Sequence, residues 1–123
     1  MSVLFDTNIL IDYLSGAKPA RRELSKHETV AVSIITWIEV MVGAANEEEQ
    51  AVLRSFLLRF RVLPLSEEVA TQAVTIRRAS RLRLPDAIIW ATARSHDLLL
   101  VTRNTKDFKP NEPGVRIPYR LST

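Results

Sequence analysis

Ser2-Val3-Leu4-Phe5-Asp6-Thr7-Asn8-Ile9-Leu10-Ile11 opens with an apolar run that ends abruptly in a carboxylate. Val3, Leu4 and Phe5 show no polar–apolar alternation, which is the pattern of a strand covered on both faces. The period then changes: Ile9, Leu10, Ile11 and Leu14 suit a helix that stops near Gly16. The same strand-then-helix order recurs downstream. Val30-Ala31-Val32 reads as a second strand, and Ser33 is placed to cap a helix running to about Gly43. Pro19 opens a short helix before it, through Arg22 to Lys26. Glu47 to Phe60 is amphipathic, with Leu53, Phe56, Leu57 and Phe60 on one side. Val62-Leu63 is a third short strand ended by Pro64, and Ser66 caps a helix containing Val69, Ala73 and Ile76. A further helix starts near Pro85-Asp86 and ends near His96, Leu98 to Thr102 is a buried strand, and Val115 to Ile117 is an edge strand before Pro118. Apolar strands alternating with helices predict a three-layer α/β/α sandwich around a short, mainly parallel sheet. Sheets of this kind carry their sites beyond the carboxyl ends of the strands.

The length of 123 residues is that of one domain, expected over 1–123, with no internal repeat or linker. No apolar stretch approaches the roughly 20 residues of a membrane span, and Met1-Ser2-Val3 lacks the basic flank of a signal peptide, so no membrane association and a cytoplasmic location are expected. The absence of cysteine excludes disulfides, thiolate catalysis and cysteine-bound zinc. His27 and His96 alone offer imidazole, both are expected at surface or helix-end positions, and neither is assigned a role. A metal would therefore be held mainly by oxygen, which favours magnesium or manganese. The net charge of +3 is a weak pointer to nucleic acid. Arg77, Arg78, Arg81 and Arg83 fall within seven residues, either as a solvated helix face or as phosphate contacts.

Acidic residues stand where an ordinary small domain would not place them. Asp6 ends the first strand, Glu39 interrupts Ile34-Ile35-Thr36-Trp37-Ile38-Glu39-Val40-Met41-Val42, and Asp86 opens Ala87-Ile88-Ile89-Trp90-Ala91. Asp107 follows the last long apolar run within Thr102-Arg103-Asn104-Thr105-Lys106-Asp107-Phe108. A carboxylate among apolar neighbours is costly to desolvate unless something compensates it. Each has an ordinary explanation. Asp6 suits a helix N-cap, Glu39 a partly exposed or ion-paired position, Asp86 a dipole-favoured helix start, and Asp107 an Asx turn with Asn104. Their joint appearance is most simply explained if they converge on one cation.

Taken together, Asp6-Thr7-Asn8, Ser33 with Glu39, Asp86-Ala87-Ile88-Ile89 followed by Ala91-Thr92-Ala93, and Thr102 to Phe108 resemble a PIN-domain ribonuclease, in particular the VapC-like toxins of toxin–antitoxin pairs. The resemblance spans nearly the whole chain, with one departure: bulky Trp90 occupies a position expected to be small. It implies that Asp6, Glu39, Asp86 and Asp107 are the catalytic, metal-holding residues for Mg2+ or Mn2+. Thr7, Asn8, Ser33, Thr102 and Asn104 would then support them by hydrogen bonds. It further implies an RNA substrate, transfer or ribosomal, and a cognate antitoxin that covers the acidic cleft. Homodimerisation is implied as well. Arg77, Arg78, Arg81, Arg83, Arg103, Lys106 and Lys109 are candidate RNA contacts. Competing readings are a catalytically silent basic RNA-binding domain and an aspartyl-phosphate phosphatase or receiver domain. The second lacks an Asp-x-Asp pair at the first strand.

Overall fold

The computed structural model describes residues 2–121. Among these residues a sheet of strands β1 (Val3–Phe5), β2 (Val30–Ser33), β3 (Arg61–Leu63), β4 (Leu99–Val101) and β5 (Val115–Arg116) runs in the order β3-β2-β1-β4-β5. Every pairing is parallel. Helices α1 (Thr7–Leu14), α2 (Lys18–Ser25), α3 (Ile34–Val42), α4 (Glu47–Leu57), α5 (Glu67–Ala79) and α6 (Leu84–Ser95) make the crossovers from β1 to β2, β2 to β3 and β3 to β4, while residues 102–114 join β4 to β5 without a helix. No helix among the described residues is long and apolar enough to cross a membrane.

Local signals set most boundaries. The side chains of Asp6, Ser33, Asn46 and Ser66 cap α1, α3, α4 and α5 by accepting a backbone N–H each. The sheet separates two apolar layers. On one side Leu4, Ala31 and Leu100 pack with Val69, Ala73 and Ile76 of α5 and Ala87, Ile89 and Trp90 of α6. On the other, Val3, Phe5, Val32 and Val101 pack with Ile9 and Leu10 of α1, Leu24 of α2, Val40 of α3 and Leu57 of α4. Successive strand residues thus bury opposite faces, which explains the unbroken apolar runs. α4 ends at Leu57, earlier than its periodicity predicts, yet Phe60 remains buried in the same layer, in a turn tied to the helix end by Phe60 N–H donating to Leu57 O at 3.1 Å.

Trp90 is accommodated by a matching absence. Its indole lies edge-on to Phe108, with ring centroids 5.8 Å apart, and covers Gly114, where a Cβ would come within 3.2 Å of Cη2. Gly114 also has φ +81°, a conformation that side chains disfavour.

His27 lies at a helix end, as expected, but it is not free in solvent. It follows α2, but its half-buried ring lies edge-on to Phe5 at 5.7 Å and its Nε2 donates to Glu23 Oε2 at 3.0 Å. Glu23, only 1% exposed, also accepts two hydrogen bonds from the Arg116 guanidinium, at 2.9 and 3.0 Å, tying α2 to β5. His96 caps the end of α6 in solvent, as expected.

Candidate active site

The sheet order places the site. The chain steps from β1 outward to β2 and β3, then returns to the far side of β1 for β4. This reversal leaves a crevice at the carboxyl ends of β1 and β4. The pairing of Phe5 with Val101 brings the next residues, Asp6 and Thr102, side by side, and Asp6 N–H donates to Val101 O at 2.9 Å. A cleft of about 500 Å³ opens there, lined by Asp6, Thr7, Asn8, Ile11, Glu39, Arg83, Asp86, Arg103, Asn104, Thr105 and Lys106.

Asp6 is at once a helix cap and the floor of the cleft. Its Oδ1 accepts from Thr7 N–H at 2.7 Å, while Oδ2 accepts from Thr102 Oγ1 at 2.8 Å and Asn8 Nδ2 at 3.3 Å. It is 6% exposed. Burial pushes its carboxyl up to about 6, against the hydrogen bonds from Thr102 and Thr7 and with help from the charges of Asp86 and Glu39. Asp86 enters from the first turn of α6. Burial raises its carboxyl as well; Arg83 opposes this, and the charge of Asp107 adds to it. Asp86 Oδ2 is buried without a hydrogen-bond partner; the nearest cation, Arg83 Nε, stands 3.6 Å away.

Glu39 is exposed rather than buried, since its position on α3 faces the open cleft. Its Oε1 accepts from Thr7 Oγ1 at 2.7 Å, and Thr7 in turn shares a hydrogen bond of 2.9 Å with the fully buried Thr36, a residue the sequence reading did not single out. Asp107 stands outside the cleft lining and is exposed. It accepts from Asn104 Nδ2 at 2.8 Å, while Asn104 Oδ1 accepts the N–H groups of Lys106 and Asp107, so the Asx turn is present. The expected convergence is therefore looser than a cage: Asp6, Glu39 and Asp86 share one cleft and Asp107 reaches it through its field. Among the described residues no three Asp, Glu or His side chains form a ready ligand group.

The supporting residues divide likewise. Thr102 and Asn8 hold Asp6, Thr7 holds Glu39 and Asn104 holds Asp107. Ser33 Oγ accepts from Ile35 N–H at 3.0 Å as the cap of α3. Of the basic candidates, Arg83 and Lys106 line the cleft, and Arg77, Arg78, Arg81 and Lys109 are exposed beyond it. Arg103 differs: its guanidinium is engaged by Asp12, so its charge is already paired. Asp12 was missed although the signal was of the same kind, a carboxylate inside the apolar helix Ile9-Leu10-Ile11-Asp12-Tyr13-Leu14.

The donors fit a hard divalent cation. All are oxygens, one buried carboxylate oxygen lacks a hydrogen-bond partner, and the mutual repulsion of Asp6, Asp86 and Glu39 is of the sign a cation relieves.

Comparisons with known proteins identify the family. The family profile described as PIN domain matches residues 3–110. The chain is 34% identical over 114 residues to Ribonuclease VapC10 of Mycobacterium tuberculosis, covering 86% of this chain and 85% of that protein. It is 32% identical over 121 residues to the tRNA(fMet)-specific endonuclease VapC of Shigella flexneri, covering 89% and 91%. A chain in a toxin–antitoxin complex from Klebsiella pneumoniae superposes with a TM-score of 0.91 at 47% identity, covering 97% of this chain and 99% of that one. The chain belongs to the PIN-domain family and, within it, to the VapC-type ribonucleases.

Proposed function

We propose that this endoribonuclease cuts transfer or ribosomal RNA with Mg2+ or Mn2+ held by Asp6, Asp86 and Glu39, with Asp107 supporting a second ion, and that a cognate antitoxin restrains it. The observation that carries the reading is the buried Asp86 Oδ2, without a hydrogen-bond partner, in the same cleft as the Asp6 carboxyl, whose pKa is raised to about 6. A silent RNA-binding domain would have no use for that arrangement.

When bound, the ion would polarise the phosphate, acidify a water and steady the leaving oxygen. The chain supplies the rest. Thr102 and Asn8 hold Asp6 from one side and Thr7 holds Glu39 from the other, so the carboxylates keep their direction when RNA arrives. Arg83 and Lys106 on the cleft wall set cationic groups against the phosphate backbone, and Arg77, Arg78 and Arg81, exposed in the segment leading to Arg83, are further candidate contacts. Transfer RNA is the first substrate to test, because the Shigella flexneri relative is named for it. The antitoxin is supported by the Klebsiella pneumoniae complex. Homodimerisation belongs to the same proposal and is checked by light scattering of the purified protein.

The experiment is expression of the wild type and Asp6→Asn in a bacterium, followed by mapping of new RNA 5′ ends. A defined set of ends with the wild type alone supports the reading. Identical ends with both, or none with either at equal protein levels, overturn it.

A further inference from the structure

The segment after β4 carries Thr102 and Asn104 into the site, yet it has no regular secondary structure to hold it. Two residues four apart on α1, and hence on one face, grip it. Asn8 Oδ1 accepts the main-chain N–H of Arg103 at 3.3 Å. Asp12, 5% exposed, takes the Arg103 side chain by two hydrogen bonds, Nε to Oδ2 and Nη2 to Oδ1, the second at 3.0 Å. Such a two-point grip fixes both distance and plane. The Tyr119 hydroxyl then donates to Asp12 Oδ2 at 2.9 Å, so a residue beyond β5 completes the set.

Thr102 immediately precedes Arg103, and its hydroxyl does three things. It donates to Asp6 Oδ2 and accepts from Asn8 Nδ2 at 3.2 Å and from Asn104 N–H at 3.1 Å. A shift of Arg103 therefore moves the donor that aims Asp6. The same pairing engages Nε and Nη2 and balances the guanidinium's charge, so Arg103, although it lines the cleft, is not a free cation there.

We propose that Asp12, Arg103 and Tyr119 form a positioning latch for the Thr102–Asp6 pair, and that Arg103 serves catalysis through this latch and not as an RNA contact. Asp12 and Tyr119 are positioning residues, since neither lines the cleft. The proposal rests on the site reading above, since it needs Asp6 to act in RNA cleavage.

The test is steady-state cleavage of a transfer RNA substrate in Mg2+ by the wild type, Tyr119→Phe, Asp12→Asn, Arg103→Lys and Lys106→Ala, with melting temperatures recorded. Tyr119→Phe removes one hydroxyl and is expected to lower kcat severalfold, and Asp12→Asn and Arg103→Lys by about tenfold or more, with KM and its salt dependence unchanged. Arg103→Lys keeps the charge but loses the fork, so failure to rescue marks the geometry as the requirement. Lys106→Ala, a free cation, raises KM and flattens the salt slope, which gives the contrast. Should Asp12→Asn not fold, Tyr119→Phe and Arg103→Lys decide the matter. A raised KM with unchanged kcat in Arg103→Lys overturns the latch in favour of an RNA contact. Full kcat in Tyr119→Phe and Arg103→Lys overturns it as well. A folded wild type that cuts no RNA sinks the site reading and the latch with it, whereas an active wild type with unaffected variants sinks the latch alone.

Discussion

Asp6→Asn should leave a protein that is more stable than the wild type in metal-free buffer at pH 7.5 and less stable at pH 4. Asp6 is buried and its carboxyl lies at about 6 instead of the ordinary 3.8. A raised folded value means the folded state prefers the protonated form. The associated stability is full below the unfolded value and is lost as pH rises through about 6. The difference corresponds to about 3 kcal/mol withdrawn from the wild type by neutral pH, an order-of-magnitude figure. Asparagine carries no charge and escapes that loss. It instead presents an NH2 where Oδ2 accepted from Thr102 and Asn8, at a cost of about 1–2 kcal/mol. The net is about 1–2 kcal/mol in favour of the variant at pH 7.5, a rise of roughly 5 °C in Tm for a chain of this size. The balance reverses at pH 4, where only the cost remains. Millimolar Mg2+ should close the gap at pH 7.5 by stabilising the wild type alone, by about 2.7 kcal/mol at a hundredfold excess over Kd. Differential scanning fluorimetry at both pH values, with chelator and with Mg2+, measures all four quantities. If the variant is less stable by the same margin at both pH values, burial does not raise the Asp6 carboxyl and the reasoning fails.

Asp86→Asn is expected to lower RNA cleavage by at least about a hundredfold with far-ultraviolet circular dichroism unchanged, and full activity would remove it from the catalytic set. Glu23 gives the opposite pH behaviour. Burial pushes its carboxyl up, but hydrogen bonds from Arg116 and His27 and the charges of Arg116 and Lys26 outweigh burial and hold it at about 2. Its contribution is therefore present above the ordinary value of 4.5 and is lost as pH falls towards about 2. Glu23→Gln should cost about 3 kcal/mol at pH 6 in urea titrations, shrinking steadily below pH 4.5, and a constant difference would contradict this. Gly114→Ala is expected to destabilise by about 1–2 kcal/mol in the same assay, because it meets both an unfavourable φ and the Trp90 ring. Arg83→Ala should reduce the salt slope of RNA affinity by about one, and an unchanged slope would return Arg83 to a solvated helix end.

The local half of this protein was legible in its residues. Unbroken apolar runs marked both-faces-covered strands, and Ser33, Ser66 and Pro85 marked where helices begin, because period and capping are properties of a few neighbouring residues. Asp6, Glu39, Asp86 and Asp107 stood out because each interrupts or ends such a run, a purely local contradiction. Which of them meet depends instead on strand order. Only the placement of β4 beside β1 sets Thr102 against Asp6, and the exposure of Glu39 and the outlying position of Asp107 depend on how α3 and the Asx turn sit around that crevice. Pairings across the chain were decided by the fold alone: Asp12 with Arg103 and Tyr119, and Glu23 with Arg116, join residues about ninety or more positions apart. A charge in a sequence announces that it needs compensation, but the partner is chosen by packing, which no local pattern encodes.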